Sequence, residues 1–430
     1  MEKDLRGETF SVCPICLKCV PAERIRVGGA VFLRKRCESH GPVQSVIWRG
    51  HADFDAWIGG AEAAPNEKLH CTDCSGLCPD HLQKTCCVLL EVTKRCNLAC
   101  RFCFADHARQ EEPPFAQVQS WLRELADPGK TLVQLSGGEP TLRDDLPDII
   151  AAAKEAGCRH VQLNTNGIRL SADRTYLRAL SDAGLSFVFM QFDGTTDAIY
   201  ESLRGKPLLG VKRQAIENCA AENLGVTLVP TLVPDVNMRN IGEILCFGIS
   251  EAPAVRGVHF QPVSYFGRFP AMPADDMRVT LDELLFEIEQ QTAGQIRAVN
   301  LLPSRCDHPL CGFHGDFMVA RDGVLVPLSQ RGKTGAGCCS GPTTAEQSRA
   351  FVARRWQRPP RSAGSAPCGD FGDMETFLRR IQSHGFTVTA MAFQDAGNLD
   401  VERLRRCSLH VFDNGRFVPF CAHYLSGWRA

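Results

Sequence analysis

Three cysteines close together in the sequence have the spacing of an iron–sulfur ligand set. Cys96, Cys100 and Cys103 form a C-x3-C-x2-C triplet directly after the apolar run 88–92. Such a run is typical of a buried strand, so the cysteines are predicted on the loop that leaves it. Three thiolates hold three irons of a cuboidal 4Fe-4S cluster and leave the fourth iron without a protein ligand. That iron is then open to a reactive small molecule; a zinc knuckle or buried thiols are the simpler alternatives.

A glycine-rich motif follows the next predicted strand. Residues 136–140 read Ser-Gly-Gly-Glu-Pro. The glycines let backbone approach a ligand closely, and Glu139 offers an acceptor for an ammonium group. Together with the cysteine triplet and the aromatic Phe102, this motif resembles the radical S-adenosylmethionine (SAM) superfamily. The resemblance implies that the open iron chelates SAM and that the reduced cluster cleaves a carbon–sulfur bond of SAM to release a carbon radical.

The elements that position these motifs alternate between strand and helix. Apolar strand candidates are 88–92, 131–135, 160–163, 187–192, 226–233 and 258–263, and the helical stretches between them include 147–156, 172–183, 211–221 and 241–249. Six parallel strands with right-handed crossovers predict an α/β fold, a partial (βα)6 TIM-type barrel over residues 88–300. Chemistry in such a barrel lies at the carboxyl ends of the strands.

Polar side chains follow these strand ends, where each alone is also typical of a turn or a helix cap. Short amide, hydroxyl and carboxylate groups are suited to the ribose and carboxylate of SAM and to a substrate. With the two motifs above, the predicted cofactor contacts are Phe102, Ser136, Gly137, Gly138, Glu139, Asn164, Asn166, Gln191, Asp193, Thr231 and Gln261.

Residues 1–70 are predicted to form a small metal-binding module. Cys13, Cys16 and Cys37 are its expected ligands, while Cys19 and His40 compete for the fourth position. Two knuckles about twenty residues apart form a tetrahedral site, either rubredoxin-like with mononuclear iron or a ribbon with zinc.

Further cysteines predict auxiliary 4Fe-4S clusters. In the loop 71–87 the expected ligands are Cys71, Cys74, Cys78 and Cys86, some of which alternatively join the N-terminal site. In the Cys-rich C-terminal region 301–430 a second set is Cys306, Cys311, Cys407 and Cys421, the last two flanking a predicted hairpin at 409–417. Cys158, Cys219 and Cys246 are expected to be core thiols.

The composition limits the class of protein. The 430 residues, 44% hydrophobic, suffice for one large α/β domain with appended modules. A formal net charge of -1 argues against a nucleic acid or an acidic membrane surface as partner. The N-terminus is charged, and no apolar run approaches the roughly 18 residues of a membrane span, so we expect a cytoplasmic protein. In a reducing compartment the 22 cysteines are better explained as metal ligands than as disulfides.

Nearly the whole chain resembles one radical SAM branch, which includes the archaeal tetraether-lipid synthase and the pterin C-methylating enzymes. The resemblance is carried by 74–78, 93–105, 136–140, 164–167, 191–194 and 391–421. It implies a SAM-binding 4Fe-4S cluster, auxiliary clusters, and the formation of a bond to carbon by radical addition. The short region after the barrel argues against a lipid substrate, so a small molecule is expected, with an external one-electron donor of the flavodoxin or ferredoxin type.

Two alternative functions remain open. The vicinal pair Cys338 and Cys339 resembles arsenic-handling proteins, and thiolates suit trivalent arsenic. By this resemblance the chain is similar to a radical SAM enzyme of arsinothricin biosynthesis, which transfers the 3-amino-3-carboxypropyl group of SAM to arsenite, with Cys338 and Cys339 at the substrate. The other alternative is a non-catalytic iron–sulfur electron carrier. This function would explain the cysteines but not the glycine-rich motif.

Overall fold

The computed structural model describes residues 3–59, 77, 81–104, 112–270, 273–304, 306–330, 355–358 and 374–425. Five of the cysteines with predicted roles lie outside these described residues, namely Cys71, Cys74, Cys78, Cys338 and Cys339.

The N-terminal residues form a four-stranded antiparallel sheet in the order β1-β2-β3-β4. Its strands are β1 (Lys3–Val12), β2 (Cys19–Val27), β3 (Ala30–Cys37) and β4 (Gly41–Trp48). Residues 24–33 belong to two strands, because the chain reverses at Gly28, whose φ of 62° is easily adopted by glycine. The predicted N-terminal module is therefore a small β-sheet.

The second sheet has thirteen strands and contains the predicted barrel. Its strands are β5 (Cys87–Thr93), β6 (Leu132–Gly137), β7 (His160–Thr165), β8 (Phe187–Gln191), β9 (Gly225–Val229), β10 (Thr231–Leu232), β11 (Val255–Pro262), β12 (Leu302–Pro303), β13 (Gly312–Val319), β14 (Leu325–Pro327), β15 (Gly385–Met391), β16 (Leu409–Asp413) and β17 (Arg416–Pro419). Strands β5, β6, β7, β8, β9 and β11 are parallel neighbours, which confirms the six-stranded partial barrel.

The C-terminal region extends this barrel at both edges. Strand β15 pairs in parallel with β11, and β16 pairs in parallel with β5, where Leu409 lies opposite Cys87. Strands β16 and β17 form the predicted hairpin, and its turn residues Asn414 and Gly415 have φ values of 46° and 83°. In the described residues, β15 and β16 therefore add two parallel strands to the six that were predicted, while the proposed domain boundaries stay predictions.

Helices alternate with the parallel strands, and shorter helices lie in the flanking regions. They are α1 (Phe54–Ile58), α2 (Phe115–Leu125), α3 (Leu146–Glu155), α4 (Ile168–Ala172), α5 (Arg174–Asp182), α6 (Asp197–Arg204), α7 (Leu209–Ala221), α8 (Ile241–Ser250), α9 (Leu281–Gln291), α10 (Met374–Ser383), α11 (Val401–Arg405) and α12 (Phe420–His423). Short 3-10 helices lie at Pro140–Leu142, Met238–Asn240, Asp275–Met277, Ala298–Asn300 and Pro309–Cys311. The helix predicted at 172–183 corresponds to α5, for which Asp173 is the N-cap residue. The Asp173 side chain accepts a hydrogen bond from the backbone amide of Tyr176.

Apolar side chains between these helices and the sheet form the main core. Cys158 and Cys219 are buried there, as predicted. The same prediction is wrong for Cys246, which is exposed because α8 turns Ile244, Leu245 and Gly248 inward and presents position 246 to solvent. Among the described residues, no helix combines the length and apolarity that crossing a membrane requires.

Candidate active site

The cysteine triplet lies where the sequence places it, on the loop after β5. All three side chains are partly buried and line a cavity of about 540 Å³ at the carboxyl ends of the parallel strands. Two backbone hydrogen bonds between Cys103 and Arg268, of 3.1 and 2.9 Å, fix the end of the loop. Burial raises the pKa of the Cys96 thiol to about 11, and the nearby charges of Cys100 and Cys103 add to the shift. The structure thus brings three thiols together around one opening, as a three-iron ligand set requires.

The glycine-rich motif is bound to that loop through its backbone. The amide of Gly138 donates to the carbonyl of Thr93 at 2.8 Å, and the amide of Glu139 donates to the carbonyl of Arg95 at 2.7 Å. Gly137 has a φ of 122°, which other residues rarely adopt. These contacts hold the motif and the triplet in one fixed wall of the cavity.

Glu139 lines the cavity but is only 1% exposed. Its Oε1 accepts from the hydroxyls of Thr141 and Thr165, both at 2.6 Å, and its Oε2 accepts from the Asn166 amide at 2.7 Å. The carboxylate therefore ties the ends of β6 and β7 together. A carboxylate has about four acceptor positions, and Oε2 accepts one of these hydrogen bonds, so capacity for a cationic ligand remains.

All the predicted cofactor contacts except Asp193 line this cavity. Those that do are Phe102, Ser136, Gly137, Gly138, Glu139, Asn164, Asn166, Gln191, Thr231 and Gln261. These strand-end residues therefore lie at one site, as predicted. Contact of each residue with a cofactor stays a prediction.

Asp193 lies behind the cavity wall, fully buried, and binds Arg204. Arg204 donates through Nε and Nη2 to the two carboxylate oxygens at 2.8 and 2.7 Å. Burial opposes the charge, but the carboxylate raises the pKa of Arg204, so the guanidinium stays protonated. Arg204 lines the cavity and also interacts with the Cys100 thiol. Sequence reasoning missed Arg204, because a lone arginine in the last turn of α6 carries no spacing signal.

The N-terminal sheet holds a compact metal-ligand group. The ligating atoms of Cys13, Cys16, Cys37 and His40 all lie within 4.8 Å of one another. His40 Nδ1 is 3.4 Å from the Cys13 sulfur and 3.5 Å from the Cys37 sulfur. Cys19 is exposed and outside this group, so the structure favours His40 for the fourth position. Three thiolates and one imidazole are a tetrahedral zinc ligand set.

Comparisons with known proteins are consistent with the cysteine triplet as an iron–sulfur site and with the N-terminal sheet as a zinc site. Residues 90–247 match the family model "Radical SAM superfamily", and residues 5–49 match "HMPTM N-terminal zinc ribbon domain". The chain is 32% identical to the 7,8-dihydro-6-hydroxymethylpterin dimethyltransferase of Methanocaldococcus jannaschii, over 97% of this chain and 93% of that protein. This chain belongs to the radical SAM superfamily.

Two further comparisons are partial. The Fe-coproporphyrin III synthase of Methanosarcina barkeri is 32% identical over 44% of this radical SAM enzyme and 47% of that protein. The crystal structure of Streptococcus suis SuiB bound to precursor peptide SuiA aligns with 16% identity and a TM-score of 0.37, over 43% of this chain and 41% of that one.

The cofactors of this radical SAM enzyme are a 4Fe-4S cluster and SAM, and the residues present fit both. The three thiols of the triplet face the cavity, and the wall beside them carries the buried anion Glu139 and the buried cation Arg204. An amino acid group with one ammonium and one carboxylate is complementary to that pair of charges. The zinc ribbon adds a second metal.

The remaining described cysteines group differently from the predicted sets. Cys86 and Cys306 were expected in separate clusters, yet both line the cavity and their thiols interact. The hydrogen bond of the Cys86 thiol to Cys306, together with burial, raises the pKa of Cys86. Half-buried Cys311 and buried Cys421 lie near Cys407, whose pKa is raised first by burial and then by charges that include theirs.

These thiols are less closely grouped than those of the zinc ribbon. In the part of the chain that the structure describes, only the ribbon brings three or more ligating atoms within 4.8 Å of one another. The triplet Cys96, Cys100 and Cys103 is also wider than this, which suits a cuboidal cluster better than a single ion. The cluster assignments of Cys86, Cys306, Cys311, Cys407 and Cys421 stay predictions.

Proposed function

We propose that this radical SAM enzyme uses the carbon radical derived from SAM to form a new bond to carbon on a small-molecule substrate. The observation that carries the proposal is the single cavity that joins the cysteine triplet to the polar interior of the barrel. At about 540 Å³ it has the size of a small-molecule site.

The chain's own residues bind and orient the reactants. Cys96, Cys100 and Cys103 hold the cluster, which with bound SAM supplies a carbon radical once an external one-electron donor, of the flavodoxin or ferredoxin type, has delivered an electron. Glu139 and Arg204 orient the two charged groups of the methionyl part of SAM. Apolar Phe102 and Val263 also line the cavity wall and exclude water from the radical.

The substrate class proposed for the first test is a reduced pterin. The relative from M. jannaschii, which aligns over nearly the full length of both chains, carries the name of a pterin dimethyltransferase. The barrel interior carries amide side chains of Gln134, Gln162 and Asn164, which suit the hydrogen-bonding edge of such a ring.

Auxiliary clusters form a further part of the proposal. Cys86 and Cys306 meet at the cavity wall beside Asp307 and Ser408, with the Cys306 sulfur 3.4 and 3.5 Å from their oxygens. Thiolates at this position would hold a cluster close to the catalytic one and give the electron a path into the site.

The test is an anaerobic incubation of the reconstituted enzyme with SAM, a strong reductant and 7,8-dihydro-6-hydroxymethylpterin, followed by mass spectrometry. We expect a pterin that has gained the carbon group of the SAM radical, together with the fragment of SAM left by that cleavage: methionine if the adenosyl group is added, or methylthioadenosine if the aminocarboxypropyl group is added. A parallel incubation with arsenite tests the alternative: methylthioadenosine together with an arsenic compound bearing the aminocarboxypropyl group, and no carbon product, would replace the proposal. Absence of any SAM cleavage would contradict both.

A further inference from the structure

At the level of Asn164, which is itself one of the predicted cofactor contacts, the cavity continues into the barrel. Barrels of this type are normally filled there by branched apolar side chains. In this enzyme the inward positions at that level include Gln134, Gln162, Asn164, His259 and Thr389, all of which line the cavity. This interior is therefore a polar site inside the sheet.

Three of these side chains form an amide chain across β6 and β7. Gln162 Nε2 donates to Asn164 Oδ1 at 2.7 Å, and Asn164 Nδ2 donates to Gln134 Oε1 at 3.5 Å. Gln162 is fully buried, and its Oε1 accepts no hydrogen bond from any described residue. A buried acceptor left unpaired is unfavourable, so this oxygen is suited to an N–H donor of a ligand.

An aromatic floor closes the amino end of the barrel. The ring of Trp356 lies 5.0 Å from Phe189 and 5.7 Å from Phe187, and His259 lies 5.0 Å from Phe189. The indole Nε1 of Trp356 donates to the Thr387 hydroxyl at 2.9 Å. Of these rings, Phe189, His259 and Trp356 line the bottom of the cavity, where aromatic side chains suit contact with a planar ligand.

The segment that carries Trp356 is firmly anchored. Arg256 Nε donates to the carbonyl of Arg355 at 2.8 Å, and Arg358 Nη1 donates to the carbonyl of Ala220 at 3.0 Å. Gly225 lies so close to this segment that a Cβ there would be 2.1 Å from the Trp356 carbonyl oxygen. Trp356 therefore defines a fixed depth for the cavity.

We infer that the amide chain and the aromatic floor together form the ring-binding subsite for the substrate. The ligand class is a planar nitrogen heterocycle with a lactam edge, whose N–H donates to Gln162 Oε1 while its ring stacks above Phe189 and Trp356. Trp356 limits how deep the ring enters. This inference rests on the proposed function, since it requires that the substrate enters the same cavity as SAM.

The test measures binding of 7,8-dihydro-6-hydroxymethylpterin to the SAM-loaded holoenzyme by anaerobic calorimetry. Gln162→Leu removes the acceptor at nearly constant volume, and Trp356→Ala removes the floor. We expect either change to weaken binding about tenfold, with the affinity for SAM unchanged. The matched control is Gln117→Leu on the exposed face of α2, which should bind as wild type does.

A second measurement does not depend on how the variants fold. The N3-methyl derivative of the same pterin lacks the lactam N–H, so it should bind wild type about tenfold more weakly than the parent ring. In Gln162→Leu the methyl group should make no further difference. Equal binding of the two pterins to wild type, or no binding of either, would overturn the inference. SAM cleavage in the same preparations reports separately on the proposed function.

Discussion

Gly138 lies against the backbone of Arg95, so closely that a Cβ at position 138 would be 2.1 Å from the Arg95 carbonyl oxygen. The glycine-rich motif therefore needs glycine for its contact with the cysteine loop as well as for the approach of a ligand. Any side chain at 138 must push the loop and the strand end apart. The position of the cluster ligands depends on this contact.

We expect Gly138→Ala to lose SAM binding and to lower the thermal midpoint, because the neighbour that must move is backbone. The control is Gly210→Ala in α7, where a Cβ meets nothing within 4 Å. Alanine is favoured over glycine in a helix, so the control should be stabilised by about 0.5–1 kcal/mol. Calorimetric SAM titration and thermal unfolding of both variants check this; a Gly138→Ala enzyme with normal SAM affinity would contradict it.

Variants of the buried pair Arg204 and Asp193 distinguish an effect on stability from an effect on cofactor binding. Arg204→Gln leaves the Asp193 carboxylate buried and unpaired, which should cost about 3–5 kcal/mol in the free energy of unfolding. Adding Asp193→Asn removes that charge and should restore most of the stability. The affinity for SAM should stay low in both, because the cation on the cavity wall is missing. Recovery of SAM affinity in the double variant would show that Arg204 acts only through the fold.

The zinc ribbon gives a direct comparison of two competing ligands. His40→Ala should lose its bound metal, since the imidazole completes the tetrahedral set, and the ribbon should become susceptible to proteolysis. Cys19→Ala should retain one metal ion per chain. Metal analysis of both proteins, with zinc and iron counted separately, decides between them. Loss of metal in Cys19→Ala with retention in His40→Ala would reverse the assignment.

His259 makes the fold sensitive to acid. Burial lowers its pKa to about 4, compared with 6.5 for the free side chain. Between these values the unfolded chain binds a proton that the folded chain does not, so stability falls as pH decreases from 6.5 to 4, by about 3 kcal/mol from this group. His259→Gln should lose that part of the pH dependence. Denaturation of both proteins at pH 7 and pH 4.5 tests this, and parallel pH dependences would contradict it.

The motifs and six barrel strands could be predicted because their signals are local. Apolar runs mark β5 to β9 and β11, and Asn414-Gly415 marks the turn of the hairpin. The pairing of Leu409 with Cys87 could not be predicted, because nothing in either segment records a partner more than 300 residues away.

The candidate site also contains residues that could be predicted from the sequence and residues that could not. Strand-end residues such as Asn166 and Gln261 were found because parallel strands end at one edge. The meeting of Cys86 with Cys306 was missed because cysteine spacing groups neighbours in sequence, whereas the fold brings together residues from distant segments. Arg204 and Trp356 were missed as site residues because single side chains on a helix or an isolated segment have no periodic signal.

The central claim is that Cys96, Cys100 and Cys103 hold a 4Fe-4S cluster at which SAM is cleaved. Its most direct test is an anaerobic comparison of wild type with the Cys96→Ala/Cys100→Ala/Cys103→Ala variant, measuring iron content and the adenosine products of SAM in the presence of a strong reductant. We expect the variant to lose about four irons per chain and all SAM cleavage, and to keep the metal of the zinc ribbon. SAM cleavage at the wild-type rate by the triple variant would contradict it.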